Sequence, residues 1–308
     1  MLLQPSLRRS SCMAILSIIL LVTMCQAKPV AIVTGGTRGI GTGIASALAD
    51  AGYDLLLTYN TNVDAATEFA SSRTDCQIEC VGGDISLPET RNRIFECLDT
   101  KFADQPLKAM IHNAGQYVGI TADNSDGLEA GKPLIFGDGS LLKDDGTVDF
   151  DTMHYYQRMY GEAFIDLCER SLVRMKEGGS LVGVSSPGGT AYYYKPGPTY
   201  SMPGSGKCLM EFSMRIYALK AAARNINVNV VVPGITRTES WAKLGERLGK
   251  TLDEIMESAV ETRVPMKKVL LPRDIGNVVA FLCSDAGRSV TGTVVPIDGG
   301  RHLNPAGK

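Results

Sequence analysis

The chain has 308 residues, of which 44% are hydrophobic and 21% charged, and its 31 basic residues nearly balance its 33 acidic residues. This composition excludes a disordered, collagen-like or repeat-array protein and indicates a globular protein with ample apolar material for a core. The balanced charge and the lack of a dense basic stripe argue against a nucleic-acid-binding surface.

Residues 1–27 differ in composition from the rest of the chain. Two arginines precede a thirteen-residue apolar run from Met13 to Cys25, and small residues follow at cleavage-type positions ending at Ala27. This layout is typical of a secretory signal peptide, and the run is short for a membrane span, which needs about 20 apolar residues. We expect entry into the secretory pathway, to the ER lumen, the exterior or an organelle reached through the ER. The alternatives are a retained membrane anchor, or an upstream extension if translation begins at Met13.

In residues 28–308, short apolar runs rich in β-branched residues alternate with helix-length amphipathic stretches. This alternation is typical of βαβ units with a buried parallel sheet. Strands are predicted at Val30–Thr34, Asp54–Tyr59, Gln77–Gly82, Ala109–His112, Ser180–Ser185, Asn227–Val232 and Val294–Ile297. Helices are predicted at Ile40–Ala51, Ala65–Arg73, Pro88–Phe102, Asp151–Lys176, Pro203–Asn225 and Arg273–Cys283. No linker divides the region, so we predict one domain with an α/β fold, in which a single parallel sheet is flanked by helices.

The spacing of cysteines and histidines does not indicate a metal site. Six cysteines lie outside the leader without a C-x-x-C pair, and the three histidines are dispersed. A disulfide between Cys76 and Cys80 is compatible with an oxidising lumen, but separate half-buried thiols fit a strand better. The histidines are expected to have structural roles.

A glycine-rich turn follows the first predicted strand and opens a helix. It has the sequence Thr34-Gly35-Gly36-Thr37-Arg38-Gly39-Ile40-Gly41. Glycines allow the backbone to approach a pyrophosphate, and the free amides at the start of a helix favour its charge. Because strand, turn, helix and second strand occur in the required order, the motif predicts dinucleotide binding.

The end of the second strand favours NADP(H) over NAD(H). Tyr59 and Asn60 stand there, with no acidic residue to bind a ribose 2′-hydroxyl. Arg38 in the glycine turn is placed to pair with a 2′-phosphate instead.

Further motifs in order make the whole region resemble the short-chain dehydrogenase/reductases. They are Gly83-Asp84-Ile85, His112-Asn113-Ala114-Gly115, Ser185-Ser186, the segment from Asn229 through Pro233-Gly234-Ile235-Thr236, and Asp298-Gly299-Gly300. The resemblance implies a single doubly wound parallel sheet of the Rossmann type, a bound nicotinamide dinucleotide, a small-molecule substrate and a homodimer or homotetramer. It assigns cofactor binding to Thr34, Gly35, Thr37, Arg38, Gly39, Ile40, Gly41, Tyr59, Asn60, Asp84, Ile85, Asn113, Ala114, Gly115, Lys207, Pro233, Gly234, Ile235 and Thr236.

The resemblance also implies a catalytic Ser, Tyr and Lys, but the spacing here is unusual. Lys207 aligns with the family lysine, and the position four residues before it holds Pro203, which has no proton to give. Tyr200 stands seven residues before Lys207, and Ser186 stands fourteen before Tyr200. We therefore predict Ser186, Tyr200 and Lys207 as the catalytic residues, with Pro203 in the first turn of a helix.

The Tyr-x6-Lys spacing resembles the enoyl-thioester reductase branch of the family. Arg158 or a neighbour replaces the helix Asn of many ketone-reducing members, which points the same way. The Ser–Tyr spacing remains close to that of carbonyl reducers, and the second tyrosine of the enoyl branch has only a partial match in Tyr192–Tyr194. We predict an NADP(H)-dependent oxidoreductase that acts on a carbonyl or a carbonyl-conjugated double bond, as 3-oxoacyl or enoyl-thioester reductases do. The alternative is an inactive NADP-binding sensor or assembly subunit.

Three segments are expected to shape the substrate site and the subunit contact. Gln116–Asp149 is Gly- and Asp-rich and forms either an active-site rim or a surface decoration. Glu239–Thr262 corresponds to the family's substrate lid, with an apolar underside from Trp241, Leu244, Leu248 and Met256. The helix at Pro203–Asn225 is apolar nearly all round, which predicts burial on more than one face. By the resemblance, this helix also pairs subunits.

Overall fold

The structure is a computed structural model that describes residues 27–115, 142–143, 145–187 and 201–303. The leader except Ala27, most of Gln116–Asp149, the tyrosines at 192–194 and Tyr200 lie outside the described residues. The described part contains the sheet, its flanking helices and most of the predicted site.

Seven parallel strands form one sheet in the part of the chain that the structure describes. They are β1 (Val30–Thr34), β2 (Asp54–Tyr59), β3 (Ile78–Gly82), β4 (Leu107–His112), β5 (Gly179–Val184), β6 (Ile226–Pro233) and β7 (Val294–Ile297). Their order in the sheet is β3-β2-β1-β4-β5-β6-β7. The chain thus builds outward from β1 in one direction and then crosses back to β4, which is the doubly wound arrangement that we predicted.

Helices connect the strands and cover both faces of the sheet. They are α1 (Ile40–Asp50), α2 (Val63–Ser71), α3 (Pro88–Lys101), α4 (Phe150–Gln157), α5 (Ala163–Arg174), α6 (Ser201–Ala221), α7 (Glu239–Leu248), α8 (Leu252–Arg263) and α9 (Pro272–Leu282). A π-helical turn, Arg158–Glu162, joins α4 to α5. Among the described residues, every helix is too short or too polar to cross a bilayer.

Alternate side chains of the strands face two separate cores. On β1, Val30 and Ile32 pack towards α3, α5 and α6, whereas Ala31 and Val33 pack towards α1 and α9. Because both faces are covered, the strands are apolar throughout rather than alternating. At the crossing of α1 and α9, a Cβ on Gly43 would lie 2.1 Å from the carbonyl carbon of Pro272, so this contact requires glycine.

The predicted strands agree with the structure within two residues at each end, the helix bounds differ by up to four residues, and two further predictions about helices are wrong. The strands β1, β2 and β7 have the predicted bounds, and Pro203 lies in the first turn of α6. The single helix predicted at 151–176 is divided by the π-helical turn. The prediction that α6 is buried on more than one face is wrong for a single chain, because Phe212 is 58% and Leu219 80% exposed.

Candidate active site

The predicted site residues that the structure describes lie at or just after the carboxyl ends of β1 to β6, except Lys207, which lies on α6. The sheet order reverses between β1 and β4, which creates the crevice where ligands bind in doubly wound sheets. Segments far apart in sequence meet at this edge because all seven strands are parallel.

The glycine turn has the backbone conformation that a pyrophosphate requires. Gly35 and Gly39 have φ of 61° and 53°, which disfavour a side chain. A Cβ on Gly41 would lie 1.9 Å from the carbonyl oxygen of Gly35. The turn is tied to β2, because the amide of Gly35 donates to Thr58 Oγ1 at 3.0 Å. The turn therefore leaves room for a ligand only along its backbone.

Residues suited to the adenosine end of a dinucleotide cofactor lie beside this turn. Arg38 is exposed and forms no hydrogen bond or ion pair with the described residues, whereas Thr37 is buried. Tyr59 packs its ring against Gly82, where a Cβ would lie 2.8 Å from the ring, and Asn60 is exposed. These features fit a cofactor that carries a 2′-phosphate.

Asp84, the predicted adenine-side residue, is fixed by two hydrogen bonds. Its Oδ1 accepts from the amide of Ser86 at 2.8 Å, and its Oδ2 accepts from the hydroxyl of Tyr155 at 3.0 Å. The next residue, Ile85, is buried, and its carbonyl accepts from Arg91. The strand end is thereby held rigidly before any ligand arrives.

A buried hydrogen-bond network joins β1 to β4. Thr34 Oγ1 accepts from the amides of Asn113 and Ala114 at 3.0 and 2.9 Å and lies 2.9 Å from His112 Nδ1. The Asn113 amide group donates to the carbonyls of Thr34 and Gly35. The predicted cofactor residues Thr34, Gly35, Asn113 and Ala114 thus form one connected group.

The partners of His112 determine its tautomer and its charge. Thr34 already accepts two amides, so its hydroxyl proton goes to Nδ1, and Nε2 donates to the Met159 carbonyl at 3.0 Å. Burial, together with the charge of Lys207, lowers the pKa of His112 to about 3. A neutral histidine therefore links the glycine turn to the π-helical turn, in keeping with the structural role that we expected.

Lys207 is the central charged residue of the site. It is 6% exposed, its Nζ donates to the carbonyl of Val184 at 2.7 Å, and Nζ lies 3.7 Å from the ring centroid of Tyr160. Burial lowers the pKa of Lys207 to about 7, and the nearby Glu211 carboxylate opposes that shift. The ammonium is thus held by a carbonyl and an aromatic face, and its charge is readily titrated near neutral pH.

Tyr160 and Glu211 are site residues that the sequence analysis missed. Tyr160 lies in the π-helical turn next to the position assigned to the family Asn, and a Cβ on Gly115 would be 2.8 Å from its ring. Glu211 is buried one helical turn after Lys207 and accepts a hydrogen bond from Ser185. The Lys207-x3-Glu211 spacing was available in the sequence as a signal, since residues four apart share a helix face.

The ends of β5 and β6 complete the site. Ser186 follows the buried Ser185 directly after β5 and is half-buried. After β6, Gly234 donates to Ile297 at 2.8 Å, and a Cβ on it would lie 2.6 Å from Asp298. The buried Thr236, two residues further on, forms an isolated parallel β-bridge with Leu270.

The predicted lid packs against this edge of the sheet. Its helices are α7 and α8, and Trp241 and Met256 join a small apolar cluster with Ile235, one of the predicted cofactor residues. The side chains of Leu244 and Leu248 lie outside the described residues. The apolar underside is confirmed for Trp241 and Met256.

The structure brings Ser186 and Lys207 to the same edge as the glycine turn, while Tyr200 lies outside the described residues. The positive φ of Gly35 and Gly39, the close approach at Gly41, and an exposed Arg38 that has no ion pair within the described part of the chain fit a nicotinamide dinucleotide phosphate. Among the described residues, no group of three or more His, Cys, Asp or Glu side chains is placed to bind a metal ion.

Two family models and several known reductases are similar in sequence to this chain. The family model "short chain dehydrogenase" matches residues 29–130, and the model "Enoyl-(Acyl carrier protein) reductase" matches residues 147–302. The hydroxynaphthalene reductase-like protein Arp2 of Metarhizium brunneum is 28% identical over 285 residues, which cover 89% of this chain and 95% of that protein. Tetrahydroxynaphthalene reductase of Pyricularia oryzae is 28% identical over 280 residues, which cover 88% of each chain.

Solved structures share the fold. L-sorbose reductase from Gluconobacter frateurii, in complex with NADPH and L-sorbose, has a TM-score of 0.73 and 22% identity, over 90% of this chain and 97% of the reductase. The family models together span both the glycine turn and the lysine helix, which are the two parts of the site described above. The chain therefore belongs to the short-chain dehydrogenase/reductase family.

Proposed function

We propose that this protein is an NADPH-dependent reductase that transfers a hydride to the carbonyl group of a small molecule. The observation that carries the proposal is the buried Lys207, held beside Ser185 and Ser186 at the sheet edge that also carries the glycine turn. The similar proteins named above are reductases, and NADPH is bound in the sorbose reductase, which supports the cofactor and the direction.

The residues of the glycine turn would hold the pyrophosphate, and Arg38 would hold the 2′-phosphate. When bound, NADPH supplies the hydride. The Lys207 ammonium would bind the ribose hydroxyls and stabilise a phenolate at Tyr200, because a nearby positive charge favours the deprotonated phenol. Ser186 would orient the substrate oxygen, and Tyr200 would give it the proton.

Reduction of a carbonyl-conjugated double bond is the second candidate. It is supported by the Tyr200-x6-Lys207 spacing and by the match to the enoyl reductase model over residues 147–302. In that reaction Tyr200 would polarise the carbonyl next to the double bond. The third possibility, an inactive NADP-binding subunit, rests on Pro203 in the usual tyrosine position.

A substrate panel distinguishes these candidates. Purified protein is mixed with NADPH and a diketone, an aromatic ketone, a keto sugar, a 3-oxoacyl thioester or an enoyl thioester, and loss of NADPH absorbance is followed. Turnover of a carbonyl compound that disappears in Lys207→Met supports the proposal. Turnover of the enoyl thioester alone supports the second candidate, and tight NADPH binding without turnover supports the inactive subunit.

An exposed apolar face of α6 supports a homo-oligomer. It carries Phe212, Ile216 and Leu219 at helical spacing, the last 80% exposed. Such a patch marks a protein contact more often than bare surface. We propose that this face pairs two subunits, and we expect Leu219→Glu to lower the mass measured by light scattering.

For residues 1–27, we propose secretory targeting.

A further inference from the structure

A buried carboxylate lies one helical turn beyond the central lysine of the site. Glu211 on α6 is 5% exposed, and its Oε1 accepts a hydrogen bond from the hydroxyl of Ser185. Burying a carboxylate is costly unless hydrogen bonds and a compensating charge stabilise it. The presence of Glu211 here therefore needs a functional or structural reason.

Two consecutive residues at the end of β5 are held by two residues of α6. Lys207 Nζ donates to the carbonyl of Val184 at 2.7 Å, and Glu211 accepts from Ser185. The amide of Ser185 also donates to the carbonyl of Val231 on β6 at 2.8 Å. Because Ser186 follows directly, these contacts fix the position from which its side chain starts.

The charged and titratable groups around Lys207 come from several elements. Glu211 lies on α6, His112 lies on β4, and Tyr160 lies on the π-helical turn. His112 is neutral near pH 7, since its pKa is about 3. Of these groups, Glu211 provides a buried negative charge one turn from the ammonium, and it opposes the loss of the lysine proton.

We propose that Glu211 is a positioning residue of the active site, which anchors the end of β5 through Ser185 and places a buried negative charge one helical turn from the ammonium of Lys207. The proposal rests on the proposed function for the role of Lys207 in binding cofactor. It explains why a buried acid is present on a helix face that otherwise contributes to the core. In chemical terms, removing the charge should allow Lys207 to lose its proton at lower pH.

The test separates the charge of Glu211 from its hydrogen bond. Glu211→Gln keeps an acceptor for Ser185 but removes the charge, whereas Ser185→Ala keeps the charge and removes the hydrogen bond. The pH titration of Lys207 is followed by NMR of protein labelled at lysine Cε, with the signal assigned by its absence in Lys207→Met. The control is Glu169→Gln, which removes a carboxylate that binds Tyr217 and Lys220 away from the site.

We expect the Lys207 midpoint in Glu211→Gln to fall by about one pH unit, which is a tenfold change in its protonation equilibrium. The alkaline limb of kcat/KM and of NADPH affinity should move down by the same amount, with values near wild type at the acid end. Ser185→Ala should leave the midpoint unchanged and lower kcat several-fold at constant NADPH affinity. Glu169→Gln should match wild type in all measurements.

An unchanged Lys207 midpoint in Glu211→Gln, or a loss of rate that is equal at every pH, would overturn the proposal. If Glu211→Gln does not fold, Glu211→Asp keeps the charge but moves it away by one methylene, and an unchanged midpoint there contradicts the proposal. The titration and NADPH affinity do not need turnover. Failure of the substrate panel in wild-type protein would therefore refute the proposed function without deciding the role of Glu211.

Discussion

The two halves of the carboxyl edge are built in different ways. On the cofactor side, glycines with positive φ and backbone hydrogen bonds form a rigid turn between β1, β2 and β4. On the catalytic side, one buried lysine of α6 contacts the backbone carbonyl of Val184 at the end of β5 and the Tyr160 ring of the π-helical turn, and a buried carboxylate lies one turn further along α6. Binding on the cofactor side therefore depends on backbone conformation, whereas the catalytic side depends on electrostatic interactions in a site shielded from water.

Replacing the lysine should produce the largest effect. We expect Lys207→Met to lower kcat/KM by about 100-fold or more, because it removes both the ribose contact and the charge that favours the tyrosine phenolate. NADPH oxidation with the best substrate of the panel measures it. Lys220→Met, which removes an exposed lysine from the same helix, serves as the matched control. Equal rates for the two variants would contradict the central role of Lys207.

A side chain in the glycine turn should disrupt the cofactor half alone. In Gly41→Ala the new Cβ would overlap the carbonyl oxygen of Gly35, so we expect a loss of NADPH affinity of about 100-fold and a stability loss of about 1–3 kcal/mol. Fluorescence titration and urea unfolding measure these changes. Gly52→Ala, where no atom lies within 4 Å but φ is 90°, should lose about 1 kcal/mol without a change in affinity. Normal binding by Gly41→Ala would argue against a pyrophosphate at this turn.

The preference for the 2′-phosphate should depend on one exposed arginine. A charge-assisted hydrogen bond contributes about 1.5–3 kcal/mol, so Arg38→Ala should weaken NADPH binding about 10- to 100-fold and leave NADH binding unchanged. Arg288→Ala, an exposed arginine paired with Asp285, is the control. A parallel loss of both affinities would show that Arg38 supports the turn rather than the phosphate.

The acid stability of the protein should depend in part on the histidine that links the two halves. His112 has a folded pKa of about 3 and an unfolded value near 6.5, so the unfolded chain binds the extra proton between these values. Its contribution to stability is therefore full above pH 6.5 and is lost as pH falls towards 3, by about 1 kcal/mol per pH unit.

Urea unfolding at pH 7 and pH 5 tests this. His112→Gln should show a smaller difference between the two pH values than wild type, whereas His154→Gln, at an exposed site, should not. An equal pH difference in wild type and His112→Gln would mean that other groups control the acid limb.

The two halves also differed in how far the sequence predicted them. The glycine turn, Asp84 and the Asn113 strand end are contiguous motifs, and a local backbone requirement fixes each of them. The strands were predicted within two residues at each end because buried parallel strands are continuous apolar runs. The sheet order followed from the resemblance and not from any single segment.

The catalytic half was predicted only in part, because its contacts join distant segments. Tyr160, which contacts Lys207, lies in the π-helical turn between α4 and α5, and no composition signal marks that turn. From the sequence, the helix that carries Glu211 was expected to contribute to the core and to the contact between subunits. That Glu211 is buried beside Ser185 can be seen only in the folded structure. The exposed face of the same helix is where we propose a contact between subunits, which a single chain cannot show.

The most direct test of the account concerns the proton donor. Tyr200→Phe removes the phenolic hydroxyl alone, and its steady-state rate is measured beside its NADPH affinity. We predict a rate at least about 100-fold below that of wild type and an NADPH affinity within about twofold of the wild-type value, since Lys207 and the glycine turn are unchanged. A rate equal to that of wild type would contradict the assignment of Tyr200, and with it the displaced-tyrosine site on which the proposed reductase depends.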